Sequence, residues 1–133
     1  MNGLDALATA ITWREGEPGF KPPARSFRNC NPGNLRSPEW HLHDEEGFDI
    51  YPDVIAGYEA LVDDLWAKFS GENTHGLGQT STLGQLFDVY APGEDHNDPA
   101  SYAAFAAAWV GLAIGKAITV DSPLSAIWSP PAS

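Results

Sequence analysis

The sequence of 133 residues predicts an α+β domain that is mostly α. Three observations carry that reading. Four or five segments are bounded by helix start and stop signals, a long Pro-, Gly- and Asn-rich stretch follows the first of them, and the segment GFDIY alternates apolar and polar residues as a strand does. Hydrophobic residues make up 43% of the chain, so one buried core is feasible. A single domain over residues 1–133 is expected, with 130–133 as a flexible tail.

The first helix starts with Asn2 as N-cap and runs through LDALATAITWRE. Leu4, Ala8, Ile11 and Glu15 fall on one helical face, so a carboxylate closes an apolar stripe. Gly16 suits a left-handed C-cap, and Pro18 and Gly19 bar continuation. Residues 17–46 contain Pro18, Pro22, Pro23, Pro32 and Pro38, a composition of turns and extended loops. Short strands are expected at Asn34–Arg36 and Phe48–Tyr51, paired as a small β-hairpin.

From Asp53 as N-cap, VIAGYEALVDDLWAKFSG places Ile55, Tyr58, Val62, Leu65 and Phe69 on one face, with Gly71 at the C-cap. Residues 71–81 read as a loop. Thr82 and Gln85 form a capping box for a short helix carrying Leu83, Leu86, Phe87 and Tyr90, stopped by Pro92. Asp98 and Pro99 open an Ala-rich helix through SYAAFAAAWVGL. Ser122 and Pro123 repeat that start signal before the tail SPPAS. Neither an internal repeat nor a domain linker is visible.

Charge and composition narrow the function. The net charge is −11, and the seven basic residues form no Lys/Arg cluster, so nucleic acid is not an expected partner. An acidic chain also gains no long-range attraction to an anionic cell surface. Cys30 is the lone cysteine, which rules out an intramolecular disulfide and a metal site built from several thiolates. No basic segment precedes an apolar stretch in Met1–Ala10, and no run of about 18 apolar residues occurs, so neither a secretory signal nor a membrane span is expected. Five Trp, six Phe and four Tyr serve either a core or a sugar-binding groove.

Two features carry candidate chemistry. Glu15 ends an apolar stripe at a helix C-terminus, and both desolvation and the helix dipole favour its protonated form. A carboxyl raised in this way by about 2 units suits a general acid, while a solvated Glu at a frayed helix end is the plain alternative. In RNCNPGNLR, residues 28–36, Asn31 and Asn34 either present amides to the hydroxyl and N-acetyl groups of amino sugars or simply hold the turn. His41, His43 and Asp44 lack a third ligand at metal-site spacing, and GEDHND (residues 93–98) lacks the ligand order of an EF-hand, so no cofactor is expected. Phosphate-loop, serine-nucleophile and cysteine-nucleophile signatures are absent from the sequence.

The order of E-G at a helix end, RNxNPGNLR, GFxxYxxxxxGxxAL, TLxxLxxxYAPxxDxNDxxxY and a Pro-Leu helix start resembles phage and prophage lysozyme-like proteins related to lytic transglycosylases. The resemblance spans about residues 7–127, with NPGN its most specific piece. It implies a lysozyme-like fold with Glu15 as the catalytic acid/base, acting on the MurNAc-GlcNAc link of peptidoglycan. It also implies that Tyr90 faces that acid, although a core tyrosine fits the position equally. Cys30 stands where the family pattern usually has another Asn. Asn31, Asn34 and Tyr90 would orient the sugar. A hydrolase needs a second carboxylate, for which Asp49 is the candidate among Asp44, Glu45, Glu46 and Asp49; a transglycosylase manages with one acid.

The expected partner is therefore the peptidoglycan glycan strand. The expected setting is a protein made in the cytoplasm that acts in the periplasm or wall after release, virion carriage or injection, with virion or effector-delivery partners. The alternative expectation is a non-enzymatic virion component or wall-binding module that keeps the lysozyme-like fold.

Overall fold

The computed structural model describes residues 1–16, 19–90 and 98–131. The stops expected at Pro18 and Pro92, most of GEDHND and the last two residues of the tail lie outside the described residues. Within them the chain is mostly helical, with α1 (Gly3–Glu15), α2 (Arg25–Arg28), α3 (Val54–Ser70), α4 (Leu83–Tyr90), α5 (Pro99–Ile114) and α6 (Leu124–Ile127). Two compact units are distinguishable, Met1–Ala10 with Asp64–Ser133, and Ile11–Asp63.

The larger unit is an apolar helical core whose helices begin and end on local signals. Asn2 caps α1 by accepting the Asp5 N–H at 2.8 Å. Thr82 and Gln85 exchange both bonds of the capping box at the start of α4, 2.8 and 3.1 Å. Asp98 accepts the Ser101 N–H at the start of α5, and Gly115 ends that helix at φ 70°. The start of α6 differs from expectation: Pro123, not Ser122, occupies the N-cap, because the Ser122 hydroxyl accepts from the Thr119 N–H instead. Leu65, Phe69, Leu83, Leu86, Phe87, Val110 and Leu124 are all fully buried. Burying each such side chain stabilises the fold by about 1.5–3 kcal/mol. Phe87 stacks on Tyr102 with ring centroids 4.5 Å apart, joining α4 to α5. Gly3 lets α1 approach α6 closely, since a Cβ there would run into the Ile127 carbonyl.

The smaller unit is built differently. The last turn of α1, the short helix α2, a long irregular loop and the first turns of α3 surround an interior containing Ser26, Asn29, Asn31 and Asp49, all buried. The sequence had no signal for α2, which lies inside the stretch read as loop. Gly16 is not the left-handed residue after α1. That conformation falls on Gly19, φ 77°, whose N–H bonds the Trp13 carbonyl at 2.9 Å. What Gly16 supplies is room, because a Cβ would come within 2.6 Å of the Phe20 nitrogen. Asp53 caps α3 through the Ala56 N–H as expected, but Ile55 is 69% exposed, and of the α3 side chains in this unit it is Leu61, beside the expected face, that is fully buried.

The hairpin expected between Asn34–Arg36 and Phe48–Tyr51 is replaced by a looser arrangement. Residues 48–50 fold back on 42–44, with Asp44 N–H to the Phe48 carbonyl, Ile50 N–H to the Leu42 carbonyl and one antiparallel bridge, His43 to Asp49. Leu35 contributes one bond, accepting the Asp49 N–H at 2.9 Å. The physical reason lies in Asn34, whose left-handed φ of 48° turns the chain out of the extended conformation a strand requires.

Candidate active site

The candidate site lies in the smaller unit, where the end of α1 meets the NPGN loop. Glu15 is the last residue of α1 and is partly exposed. Its Oε1 accepts a hydrogen bond from Asn34 Nδ2 at 3.0 Å. Its backbone carbonyl, one of those a helix end leaves without an intrahelical partner, accepts from the buried Ser26 hydroxyl at 3.2 Å. The main chain of Ser26 in turn accepts the Asn31 N–H at 2.9 Å. One residue of α2 therefore ties the glutamate's helix to the loop that carries Asn34.

Asn31 holds that loop. Its side chain is fully buried and makes three bonds, donating to the Leu35 and Asp49 carbonyls and accepting the Leu35 N–H. Those contacts consume both amide hydrogens and one acceptor site of the carbonyl oxygen. Of the two expectations for Asn31, turn-holder and sugar-binder, its burial and bonds support the first. Asn34 is the amide that reaches the glutamate. Its Oδ1 is buried and has no hydrogen-bond partner among the described residues.

Asp49, the candidate second acid, lies buried in the smaller unit. Its carboxylate is fully enclosed and accepts the Ser37 N–H on Oδ1 and the Tyr51 hydroxyl on Oδ2, each at 2.9 Å. His43 Nε2 stands 3.1 Å from Oδ1 and 3.0 Å from the Ser37 carbonyl. This carboxylate has no surface of its own, and its bonds join residues 37, 49 and 51 of the loop. Asp44 is a second loop anchor. Burial alone would push its carboxyl up, but the Asn29 amide, the Phe48 and Glu46 N–H groups and the Arg25 guanidinium outweigh burial and hold it below the usual carboxylate range.

Tyr90 ends α4 in the larger unit. Its ring meets Phe87 and Tyr102 edge-on at 6.1 and 6.4 Å, and the Lys68 ammonium lies 5.7 Å from its centroid. Cys30 adopts the left-handed region, φ 51°, and its carbonyl packs where Gly57 of α3 has no room for a Cβ. The sequence reading missed Ser26 and Asn29. Neither falls on a periodic face, and only Asn29 lies inside the motif run. Among the described residues no group of three or more His, Cys, Asp or Glu side chains is placed to hold a metal ion, and no helix is long and apolar enough to cross a membrane. No protein-family model, curated protein or solved structure matches the chain.

Proposed function

We propose that this protein cleaves the glycan strands of peptidoglycan, as a lytic transglycosylase or muramidase with a lysozyme-like fold, and that Glu15 is its general acid/base. The observation that carries the reading is the 3.0 Å contact between the Asn34 amide and Glu15 Oε1. A helix-end carboxyl and the most specific motif of the resemblance form one unit. An amide suits a group that must hold and release a proton. It donates through Nδ2 to the carboxylate and, turned over, accepts through Oδ1 from the carboxylic acid.

Glu15 protonates the oxygen of the MurNAc-GlcNAc link as the bond breaks, then removes a proton as base. The enclosure of Asp49 favours the single-acid route. The N-acetyl oxygen of the substrate attacks C1 as the protonated leaving sugar departs, and the C6 hydroxyl of the same sugar then gives its proton to Glu15 and displaces that oxygen from C1, closing an anhydro end. Tyr90 joins this reading through the resemblance alone. The acidic chain reaches the wall by release, virion carriage or injection.

A turbidity or zymogram assay comparing wild type with Glu15→Gln tests the proposal. Clearing by wild type should fall at least about a hundredfold in the variant, the usual contribution of a positioned proton donor. No clearing by either protein, on walls of several compositions, would leave the non-enzymatic alternative. Mass spectrometry of the products separates anhydro ends from reducing ends.

A further inference from the structure

α5 stands apart from the other long helices in charge. Pro99–Ile114 contains no Asp, Glu, Lys or Arg, in a chain of net charge −11. One face of it packs inward through Tyr102, Ala103, Ala106, Ala107 and Val110. The opposite face exposes Ala100, Ala104, Ala108 and Leu112 at a constant spacing of four, the ridge along which helices pack against one another. Leu112 is 87% exposed. Over the last turns of the helix this face becomes an open groove of about 480 Å³, bordered by Ala108, Gly111, Leu112, Lys116 and Ile118. The chain beyond Gly115 folds back closely on the helix there, since a Cβ at Gly111 would come within 2.8 Å of the Lys116 carbonyl.

The two ends of this face carry opposite charge. At the N-terminal end Asp98 is exposed, with Oδ1 accepting the Ser101 N–H. At the other end Lys116 is exposed and borders the groove, and among the described residues no carboxylate lies against its ammonium. Two copies of so acidic a chain repel over most of their surfaces, and a charge-free face is where they can approach. Run antiparallel, the narrow Ala100 and Ala104 half of one α5 faces the groove of the other. Ala108 lies eight residues before Lys116 and ten after Asp98. With Ala108 at the centre, the charged ends of the two copies therefore fall within about 3 Å of each other along the axis. Leu112 then faces the partner's Ala104, large against small.

We propose that a second copy of this chain occupies the groove, in a two-fold pair whose antiparallel α5 helices meet at Ala108. The patch is self-complementary, as a two-fold contact requires: each copy supplies the small ridge to its partner and receives the partner's ridge in its own groove. Each Lys116 pairs with the partner's Asp98, which fixes the antiparallel direction. The pairing does not depend on the activity proposed above.

Sedimentation equilibrium of the full chain, from micromolar to millimolar concentration, tests the pairing. Wild type should pass from one copy to two and stop there, because a two-fold contact is closed. Ala108→Glu sets like charges against each other at the centre and should weaken the pair at least about a hundredfold. Lys116→Glu should weaken it about tenfold, and adding Asp98→Asn, which keeps the helix cap, should recover part of that loss. Far-UV circular dichroism and the urea midpoint report the folding of each variant. Lys116 lies beyond the helix, so its charge reversal decides the matter even where Ala108→Glu does not fold. Wild type that stays a single copy at millimolar concentration overturns the proposal and leaves the face to a different apolar partner. Growth past two copies overturns it as well. So does a pair that either substitution leaves unmoved, since its contact would then lie elsewhere.

Discussion

The two units of this molecule hold their shapes by different forces. In the larger one, stacked rings and aliphatic side chains such as Phe87, Tyr102, Leu65 and Leu124 exclude water, and polar side chains work mostly at helix ends. In the smaller one, Ser26, Asn29, Asn31 and Asp49 occupy the interior, and each bonds a backbone group or another side chain of the loop. Apolar packing is non-directional and tolerates small shifts. Hydrogen bonds fix angles and distances, at the cost of severe penalties when one partner is lost. A loop that must present Asn34 to Glu15 at 3.0 Å needs the second kind of interior.

Damage to each interior should follow its own rule. Phe87→Ala removes a fully buried ring from the α4 and α5 contact and should cost about 3–5 kcal/mol, measured by urea unfolding. Asp49→Ala removes far less volume, yet it leaves the Ser37 N–H and the Tyr51 hydroxyl without their acceptor. Its cost should be about 3 kcal/mol, more than its size predicts. A loss below about 1 kcal/mol would show that the polar interior is not what holds the loop.

Acid should separate the units as well. The carboxyl of Asp44 sits below its unfolded value of about 3.9, so its stabilising contribution is complete above that pH and disappears as pH falls through the folded value. Asp44→Asn should therefore be less stable than wild type at neutral pH, and the gap should close in unfolding curves taken well below pH about 4. A gap that stays constant with pH would assign the loss to packing instead of charge.

The smallest effect is expected at Cys30. Its φ of 51° suits Asn better than Cys, because the short amide tolerates the left-handed region. Cys30→Asn should raise stability by about 0.5 kcal/mol, seen as a shift in the urea midpoint with the slope unchanged. A decrease would mean that the thiol packs in a way the backbone angle does not reveal.

Legibility in the sequence follows the same division. The caps at Asn2, Asp53, Thr82 and Asp98 stand where local spacing put them, since each bond joins residues three apart. The apolar face of α3 was readable only in part: Leu65 and Phe69 are buried but Ile55 is not, because periodicity names a face without saying how far along it the core extends. The Asn-Pro-Gly composition of the loop marked an irregular segment and drew attention to Asn31 and Asn34. It did not distinguish the amide that closes the turn from the one that meets the carboxylate.

The sequence by itself determined the mostly helical class, the helix starts at the capped positions, and the candidacy of Glu15 and its loop, because these depend on interactions within a few residues. Only the tertiary structure decided that Asp49 would be enclosed, that Ser26 would tie α1 to the loop, and that Asn34 would reach back 19 residues to Glu15. Those contacts depend on side-chain directions summed over a non-periodic path, and no local spacing encodes where such a path ends.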